Sequence, residues 1–334
     1  VALEVAPQSR LLLDSTEVAL AGQIGTALAA CAPLRIASFG NVPLDFRASA
    51  DVPWLTVLPA SGRTPISANL CATAGVLAPG SYTATVTVTA ATLNSSATVP
   101  VRFSVTPAPA LQTGGVTSAA SFAANQPISA GQMLSLFGTN LSADTAQAAS
   151  FPLPTELGST RVLVGGVPAP LLYVSPSQIN LITPVRLSSQ AGSGTTVTVY
   201  SSRLASPAAR VNVARSSPGV FTVLGAGTGA GAITHADGAV ISRLDPLRPG
   251  EVISVYLTGL GSLDPPVEDG APAPAEPLSR AIANVRLLMD NQPAEVLYAG
   301  ASPGFAGLHL VVAKVPETLP RRFPELVVES DAAR

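Results

Sequence analysis

The sequence has little charge and few of the side chains that carry most protein chemistry. Only 11% of its 334 residues are charged, and Lys314 is the single lysine. No basic stripe can therefore neutralise the phosphates of a nucleic acid, so we expect no nucleic-acid partner. No apolar run reaches the roughly 18 residues of a membrane-spanning helix, which predicts that no segment crosses a membrane.

Cysteine and histidine are also scarce, with two of each. Cys31 and Cys71 do not form a CxxC pair, so metal or redox chemistry has few ligands and we expect no cofactor. We predict a disulfide between them, with two buried free thiols as the alternative. A bridge would close a loop of about 40 residues, stabilise the fold by ~3–4 kcal/mol and indicate an oxidising compartment. Because residues 1–5 (VALEV) lack an initiator Met and a charged leader region, we expect a mature or trimmed product of secretion.

Proline and glycine are abundant, with 31 and 28 residues, which favours short elements joined by tight turns. Apolar and polar residues alternate over residues 82–89 and again over residues 99–105. A period of two predicts half-buried antiparallel strands. Residues 107–113, which begin with Pro-Ala-Pro-Ala, cannot continue a central strand and predict a linker.

Three short motifs mark the region before this linker: residues 54–62 (WLTVLPASG), 77–88 (LAPGSYTATVTV) and 99–101 (VPV). They resemble the motifs of the BACON domain, the Bacteroidetes-associated carbohydrate-binding, often N-terminal domain. The resemblance covers residues 1–106. It implies an immunoglobulin-like β-sandwich. It also implies carbohydrate binding, a role inferred for the family from the proteins in which the domain occurs.

The rest of the chain contains an internal repeat. Residues 130–141 (AGQMLSLFGTNL) return as residues 249–260 (PGEVISVYLTGL), and residues 168–173 (PAPLLY) return as residues 293–298 (PAEVLY). Two motifs that recur in the same order indicate a duplicated module. A repeated module more often builds a scaffold or a binding surface than one active site.

The same region carries an ordered set of further motifs. They are residues 119–122 (AASF), 136–141 (LFGTNL), 164–180 (VGGVPAPLLYVSPSQIN), 217–221 (SPGVF), 257–261 (LTGLG), 299–308 (AGASPGFAGL) and 315–316 (VP). The set resembles the Solibacter-type C-terminal domain of predicted secreted acidobacterial proteins, a family without an established activity. The segment around LFGTNL also resembles the TIG/IPT version of the immunoglobulin fold.

We therefore predict an all-β chain of three tandem immunoglobulin-like β-sandwich domains, the last two an internal duplication. Their bounds are residues 1–106, 114–215 and 216–334. The two copies end differently: the first has an alternating strand at residues 208–214 that the second lacks. A sandwich short of its final strand exposes a sheet edge and part of its core, which favours association.

Candidate chemistry is sparse. His235 lies in a His-Ala-Asp-Gly turn, which predicts a solvated loop residue, and His309 alternates with leucines, which predicts a surface or edge position on a strand. Asp264, Glu268 and Asp269 share one Pro-rich loop and are weak candidates for Ca²⁺ ligands, with a solvated acidic loop as the alternative.

The aromatic residues offer a second type of site. Trp54 is the only tryptophan in a chain with 4% aromatic residues. It is a possible glycan contact, with a plug of the hydrophobic core as the alternative. No motif points to a catalytic residue.

These observations favour a secreted or cell-surface, non-enzymatic structural protein that forms a homo-oligomer or homopolymer. The missing strand suggests a filament in which a neighbouring subunit supplies it. The alternative is a carbohydrate-binding or adhesion protein with a polysaccharide partner.

Overall fold

The computed structural model describes residues 10–24, 29–90, 95–202, 204–318 and 321–330. This part of the chain is almost entirely β-structure, and its helical segments are two short 3-10 helices, Phe39–Asn41 and Val185–Gln190. None of its helices has the length and apolar character needed to cross a membrane. Residues 1–5, on which the prediction of a mature N-terminus rests, lie outside the described residues.

The chain divides into two compact units, an N-terminal unit (Val1–Ala108) and a C-terminal unit (Pro109–Arg334). The N-terminal unit contains nine described strands. They are β1 (Leu11–Leu13), β2 (Val18–Gln23), β3 (Ala30–Ser38), β4 (Asp45–Ala50), β5 (Leu55–Leu58), β6 (Ser61–Arg63), β7 (Ile66–Ala72), β8 (Gly80–Ala90) and β9 (Ser95–Thr106).

These strands form two sheets, one in the order β1-β3-β7-β5 and the other in the order β2-β9-β8-β4-β6. Inward-facing side chains of both sheets meet in one core, including Ile36 and Leu70 from the first and Val86 and Phe103 from the second. The alternation of residues 99–105 places every second side chain in this core. Two sheets packed on one core make an immunoglobulin-like sandwich, as the sequence predicts for this region.

The disulfide between Cys31 and Cys71 is confirmed. The two residues lie directly opposite each other on β3 and β7, with their Cα atoms 4.1 Å apart. The bridge therefore joins neighbouring strands of one sheet and closes a segment of 40 residues that includes β4, β5 and β6.

The C-terminal unit begins with a first half of ten strands. They are β10 (Ala110–Ser118), β11 (Met133–Thr139), β12 (Ala146–Gln147), β13 (Thr160–Val164), β14 (Val167–Pro168), β15 (Leu171–Val174), β16 (Gln178–Ile182), β17 (Gly194–Ser201), β18 (Leu204–Ala205) and β19 (Ala209–Asn212). One sheet has the order β10-β11-β16-β15-β12; the other has the order β14-β13-β17-β18, with β19 also paired to β17. Strand β10 starts inside the predicted linker 107–113.

The second half contains nine described strands. They are β20 (Gly219–Val220), β21 (Ile233–His235), β22 (Val252–Thr258), β23 (Leu263–Asp264), β24 (Arg280–Ala281), β25 (Val285–Met289), β26 (Gln292–Ala301), β27 (His309–Lys314) and β28 (Leu326–Ser330). Strand β22 pairs with β27 and β27 with β26, while β25 pairs with both β26 and β28. Each half has its own hydrophobic core.

The sequence repeat corresponds to a repeat of backbone geometry. Gly131 and Gly250 both adopt positive φ, at 66° and 75°, in the turn before β11 and before β22. Their N–H groups donate to equivalent carbonyls, of Thr183 and Val315, at 3.1 Å in both cases. Glycine recurs here because a side chain would be strained in this left-handed conformation.

The second pair of strands also repeats its register. In the first half Thr160 of β13 lies opposite Ser201 of β17, and in the second half Val285 of β25 lies opposite Ser330 of β28. Both pairings are antiparallel and extend over five residues. Strands β17 and β28 are therefore equivalent, which allows the two halves to be compared position by position.

Loss of the disulfide should destabilise the N-terminal unit. The double variant Cys31→Ser/Cys71→Ser removes the constraint on a 40-residue segment, and we expect about 2–4 kcal/mol less stability. Denaturant unfolding followed by the fluorescence of Trp54, the only tryptophan, reports on this unit alone. A reducing agent should shift the wild-type transition and leave that of the double variant unchanged. Equal midpoints for the two proteins without reductant would contradict the expected contribution.

Candidate functional site

Polar side chains join the two halves of the C-terminal unit. Gln132 donates from Nε2 to the carbonyl of Ser217 at 3.2 Å, and Ser129 donates from Oγ to the carbonyl of Gly259 at 3.3 Å. Gly259 has a φ of 87°, and a Cβ atom there would lie 2.0 Å from the oxygen of Ser217. The backbone at the start of the second half therefore packs so closely on residue 259 that only glycine fits there.

Thr258 is the buried centre of this junction. It is 0% exposed, its Oγ1 accepts from the N–H of Met133 at 2.8 Å, and it donates to the carbonyl of Gly307 at 2.8 Å. A Cβ atom at Gly307 would lie 2.9 Å from the side chain of Ile182. Hydrogen bonds and close packing together explain why the two halves form one compact unit.

A pocket of about 220 Å³ lies beside this junction. Its walls come from both halves and are mostly apolar. They include Ile182, Val185, Leu263, Val267, Phe305 and Ala306. The pocket places a histidine, His309, among apolar side chains.

The prediction that His309 lies at a surface or edge position is wrong. It lies on β27, between β22 and β26, and is 2% exposed. Its Nδ1 accepts the N–H of Leu260 at 3.0 Å. Burial lowers the pKa of His309 to about 4, so the ring is neutral at pH 7 and carries its proton on Nε2. Within the described chain, no hydrogen bond reaches that Nε2 atom.

The prediction that His235 is a solvated loop residue is also wrong. It ends β21 and is 4% exposed, with Nδ1 2.8 Å from a carboxylate oxygen of Glu251 and Nε2 3.4 Å from the carbonyl of Asp245. The hydrogen bond to Glu251 raises the pKa of His235, and burial opposes this. Glu251 also accepts the N–H of Arg248, so the carboxylate organises the turn before β22.

The candidate Ca²⁺ ligands do not form a cluster. Asp269 accepts the N–H of Val185 at 2.7 Å and so ties the loop of the second half to the first half. Asp264 lies in β23, opposite Arg280. In the described ranges, no group of three or more His, Cys, Asp or Glu side chains is placed to hold a metal ion.

Trp54 lies at the edge of the N-terminal core. Its ring stacks on Phe103 at a centroid distance of 5.3 Å and meets Tyr82 edge-on at 6.3 Å. Tyr82 in turn donates to the carbonyl of Ala78. The ring is therefore used in packing, and its remaining exposed part is the surface that a glycan could contact.

The free edge of β28 is the largest difference between the two halves. In the described part of the chain β28 is bordered by β25 alone, whereas β17 is bordered by β13 on one side and by β18 and β19 on the other. Val197 and Val199 of β17 are 0% exposed, while their counterparts Leu326 and Val328 are only partly buried against the core. The alignment of the two repeat copies predicted this free edge. Nothing in the sequence predicted that His309 is buried.

Comparisons with known proteins leave the family open. No protein-family model matches the chain, and no curated protein matches it. The resemblances to the BACON domain and to the Solibacter-type C-terminal domain therefore stay predictions.

Three solved structures illustrate what the chain is similar to. A Bacteroides ovatus GH5 xyloglucanase is 18% identical over 33% of this chain and 22% of its own, with a TM-score of 0.24. A Porphyromonas gingivalis protein of unknown function is 10% identical over 61% of this chain and 97% of its own, with a TM-score of 0.25. The human desmocollin-1 ectodomain is 8% identical over 98% of this chain and 58% of its own, with a TM-score of 0.23. The chain spans about a fifth of the xyloglucanase, and likenesses this distant carry no argument about function.

Acidification should destabilise the C-terminal unit through His309. The unfolded ring binds a proton near its usual pKa of 6.5, whereas the folded ring stays neutral down to a pKa of about 4. Stability should therefore fall as the pH drops from 7 to 4, by up to about 3 kcal/mol from this residue. His309→Asn keeps an acceptor for Leu260 without titrating, so its circular-dichroism unfolding curves should lose this part of the pH dependence.

His235 provides the opposite control. Because its folded pKa is raised, its contribution is fully present below pH 6.5 and is lost as the pH rises through the folded pKa. His235→Asn should therefore cost most stability at pH 5 to 6 and least at pH 9. The same pH profile for both variants would contradict these assignments.

Removing the Trp54 ring should unfold the N-terminal unit more readily. We expect Trp54→Ala to lose about 2–4 kcal/mol of stability, and Trp54→Phe, which keeps a stacking ring, to lose less than about 1.5 kcal/mol. Thermal unfolding by circular dichroism and a polysaccharide pull-down separate the two roles. Unchanged stability with lost polysaccharide binding in Trp54→Ala would assign the ring to a glycan instead of the core.

Proposed function

We propose that this protein is a secreted, non-enzymatic structural subunit of an extracellular or cell-surface assembly. Its three tandem immunoglobulin-like domains join head to tail into a filament, in which a strand from one subunit completes the last domain of the next. The observation that carries the proposal is the open edge of β28 above a core whose residues Leu326 and Val328 are incompletely covered. Exposed strand edges of this kind accept further strands readily.

The comparison of the two halves supports an added strand over a simple surface edge. Strand β19 pairs with β17 over four residues, and Val213 beyond it is 3% exposed in the first core. The second half repeats the register of β17 in β28, yet in the described residues nothing occupies the position of β19. A strand placed there would pair with residues 323–326 and cover Leu326 as β19 covers Val197.

The disulfide supports the extracellular location in this proposal. The Cys31–Cys71 disulfide persists in oxidising surroundings, and Cys31 is exposed, so reductants of a cytosol would reach it. The two histidines support the non-enzymatic part of the proposal. His235 is held by Glu251, and His309 is neutral with an amide at Nδ1, so neither is paired with a nucleophile in the described chain.

Assembly should depend on the inward face of β28. Purified wild-type protein should form linear polymers whose length grows with concentration, because a heterologous contact between two different surfaces does not close on itself. Leu326→Asp places a charge on the core-facing side of the free strand, where the added strand would pack, and should leave monomers. Sedimentation and negative-stain electron microscopy measure both states.

Val327→Asp is the matched control. It adds the same charge one residue away, on the opposite and exposed face of β28, and should polymerise like the wild type. Thermal unfolding of each variant establishes that it is folded. A wild type that stays monomeric at every concentration, or equal polymerisation of the two variants, would overturn the proposal.

A further inference from the structure

The strand that completes the first half has a second hydrogen-bonding partner besides β17. The N–H of Ile128 donates to the carbonyl of Asn212 at 2.9 Å, and the carbonyl of Ile128 accepts from the N–H of Ala214 at 2.8 Å. Residues 212–214 are thus held between β17 and the segment before β11. Val213 and Ile128 form a parallel bridge in the core.

Leu247 is the counterpart of Ile128 in the second half. The residues that follow are organised alike: the N–H of Ser129 donates to Gln132, and the N–H of Arg248 donates to Glu251. Leu247 is 6% exposed, yet its N–H and carbonyl have no hydrogen-bond partner in the described chain. Buried backbone groups are nearly always paired, so this position calls for a strand.

The missing strand must therefore satisfy two surfaces at once. It must pair with the free edge of β28 and with the backbone of Leu247, and every second side chain must be apolar to cover the core. In the first half these requirements are met by residues 209–214 (ARVNVA), with Ala209, Val211 and Val213 facing inward.

The beginning of the chain has the same pattern. In an extended strand, residues 1–6 (VALEVA) would have Val1, Leu3 and Val5 on one face and Ala2 and Glu4 on the other. Aligned on the shared Val-Ala end, the two segments have apolar residues at all three inward positions, while Arg210 on the outward face corresponds to Ala2. Pro7 follows, and a proline cannot continue a paired strand, so the strand would end there.

We propose that residues 1–6 of a second copy of this chain are the donor strand, an inference that rests on the proposed assembly. Val5 takes the position of Val213, and Leu3 takes that of Val211. The carbonyl of Glu4 accepts from Leu247 N–H, and the N–H of Ala6 donates to the Leu247 carbonyl. In this register the donor pairs with residues 323–326, and its inward side chains Val1, Leu3 and Val5 cover Leu326 and Leu247.

Charge supports this register. Asn212 lies opposite Gly194 of β17, so Glu4 lies opposite the equivalent residue of the second half, Phe323. Phe323 is exposed, so the single acidic side chain of the donor stays on the solvent-facing side of the strand. A strand aligned one residue out of register would place Glu4 in the core.

The position of the donor in the chain is consistent with this exchange. In the first half, residues 212–214 complete one sandwich and the chain then enters the next one, beginning with β20. Residues 1–6 would likewise complete one sandwich, that of the neighbouring copy, before the chain enters its own N-terminal unit at β1. The same arrangement, a strand that completes one sandwich just before the chain enters the next, would then occur both within and between subunits.

Removing or disrupting the donor tests this inference on the full chain. A variant without residues 1–9 keeps every described strand, because β1 begins at Leu11, and should be a folded monomer. Leu3→Asp, on the inward face, should also prevent polymerisation, whereas Ala2→Asp, on the outward face, should not. Electron microscopy and sedimentation report the state of each variant beside the wild type.

A peptide of residues 1–8 (VALEVAPQ) separates the donor from the assembly itself. It should bind the variant without residues 1–9 at one peptide per chain and should stop wild-type polymers from growing. The Leu3→Asp peptide should bind at least about tenfold more weakly, because it would bury a charge. Leu326→Asp in the acceptor should abolish peptide binding, because Leu326 lies opposite Val1 in this register, and this result assigns the binding site to the free edge at β28.

The outcomes distinguish the two proposals. If the wild type and the variant without residues 1–9 both polymerise, the donor is another segment and the assembly stands. If the wild type is monomeric and the peptide does not bind, both proposals fall. If the wild type is monomeric and the shortened variant binds the peptide, residues 1–6 complete their own chain, and exchange between subunits is wrong.

Discussion

The structure depends on one constraint: in a small β-sandwich, the strand that covers the core must also satisfy the hydrogen bonds of its neighbour. A sandwich has a single apolar layer between two sheets, so each strand contributes both cover and pairing. In the N-terminal unit the parallel pairing of β2 with β9 completes one sheet, and in the first half of the C-terminal unit β19 completes another. In the second half, two groups of atoms have no hydrogen-bond partner among the described residues, the free edge of β28 and the backbone of Leu247. Their coincidence is what separates an incomplete sandwich from an ordinary exposed edge.

At the junction between the halves, in contrast to the edge of β28, polar side chains of one half find hydrogen-bond partners in the other. Gln132, Thr258 and Asp269 each hydrogen-bond the backbone of the other half, so the contact depends on the geometry of the backbone. Glycine at positions 259 and 307 permits the approach that these bonds require. The pocket beside His309 lies next to these contacts and is lined by residues of both halves.

Some of this could be predicted from the sequence, for reasons that particular residues make clear. Alternation in residues 99–105 predicted a strand because half-burial imposes a period of two, and Cys31 and Cys71 predicted a bridge because the chain has few other ligands for metal or redox chemistry. His309 could not be placed, because alternation shows which residues share a face of a strand and not whether another body covers that face. His235 was misplaced because its turn sequence is typical of a surface loop, while its partner Glu251 lies 16 residues later, in the turn before β22. The local sequence pattern predicts which segments form strands. Whether a polar side chain is buried depends on residues that are distant in the sequence.

Under the proposed assembly, a donor strand would also explain why an open edge is tolerable in a subunit that has not yet met its neighbour. Ordering a short segment costs conformational entropy comparable to what burying its three apolar side chains gains, so the segment alone binds weakly. The balance shifts when backbone hydrogen bonds to β28 and Leu247 are added, because those groups are already desolvated in part and unpaired in the acceptor. Complementation is thus favoured by the acceptor's incompleteness more than by the donor's own affinity. A sandwich with its final strand in place would remove that advantage, which is why the first half, complete with β19, offers no second site for the same segment.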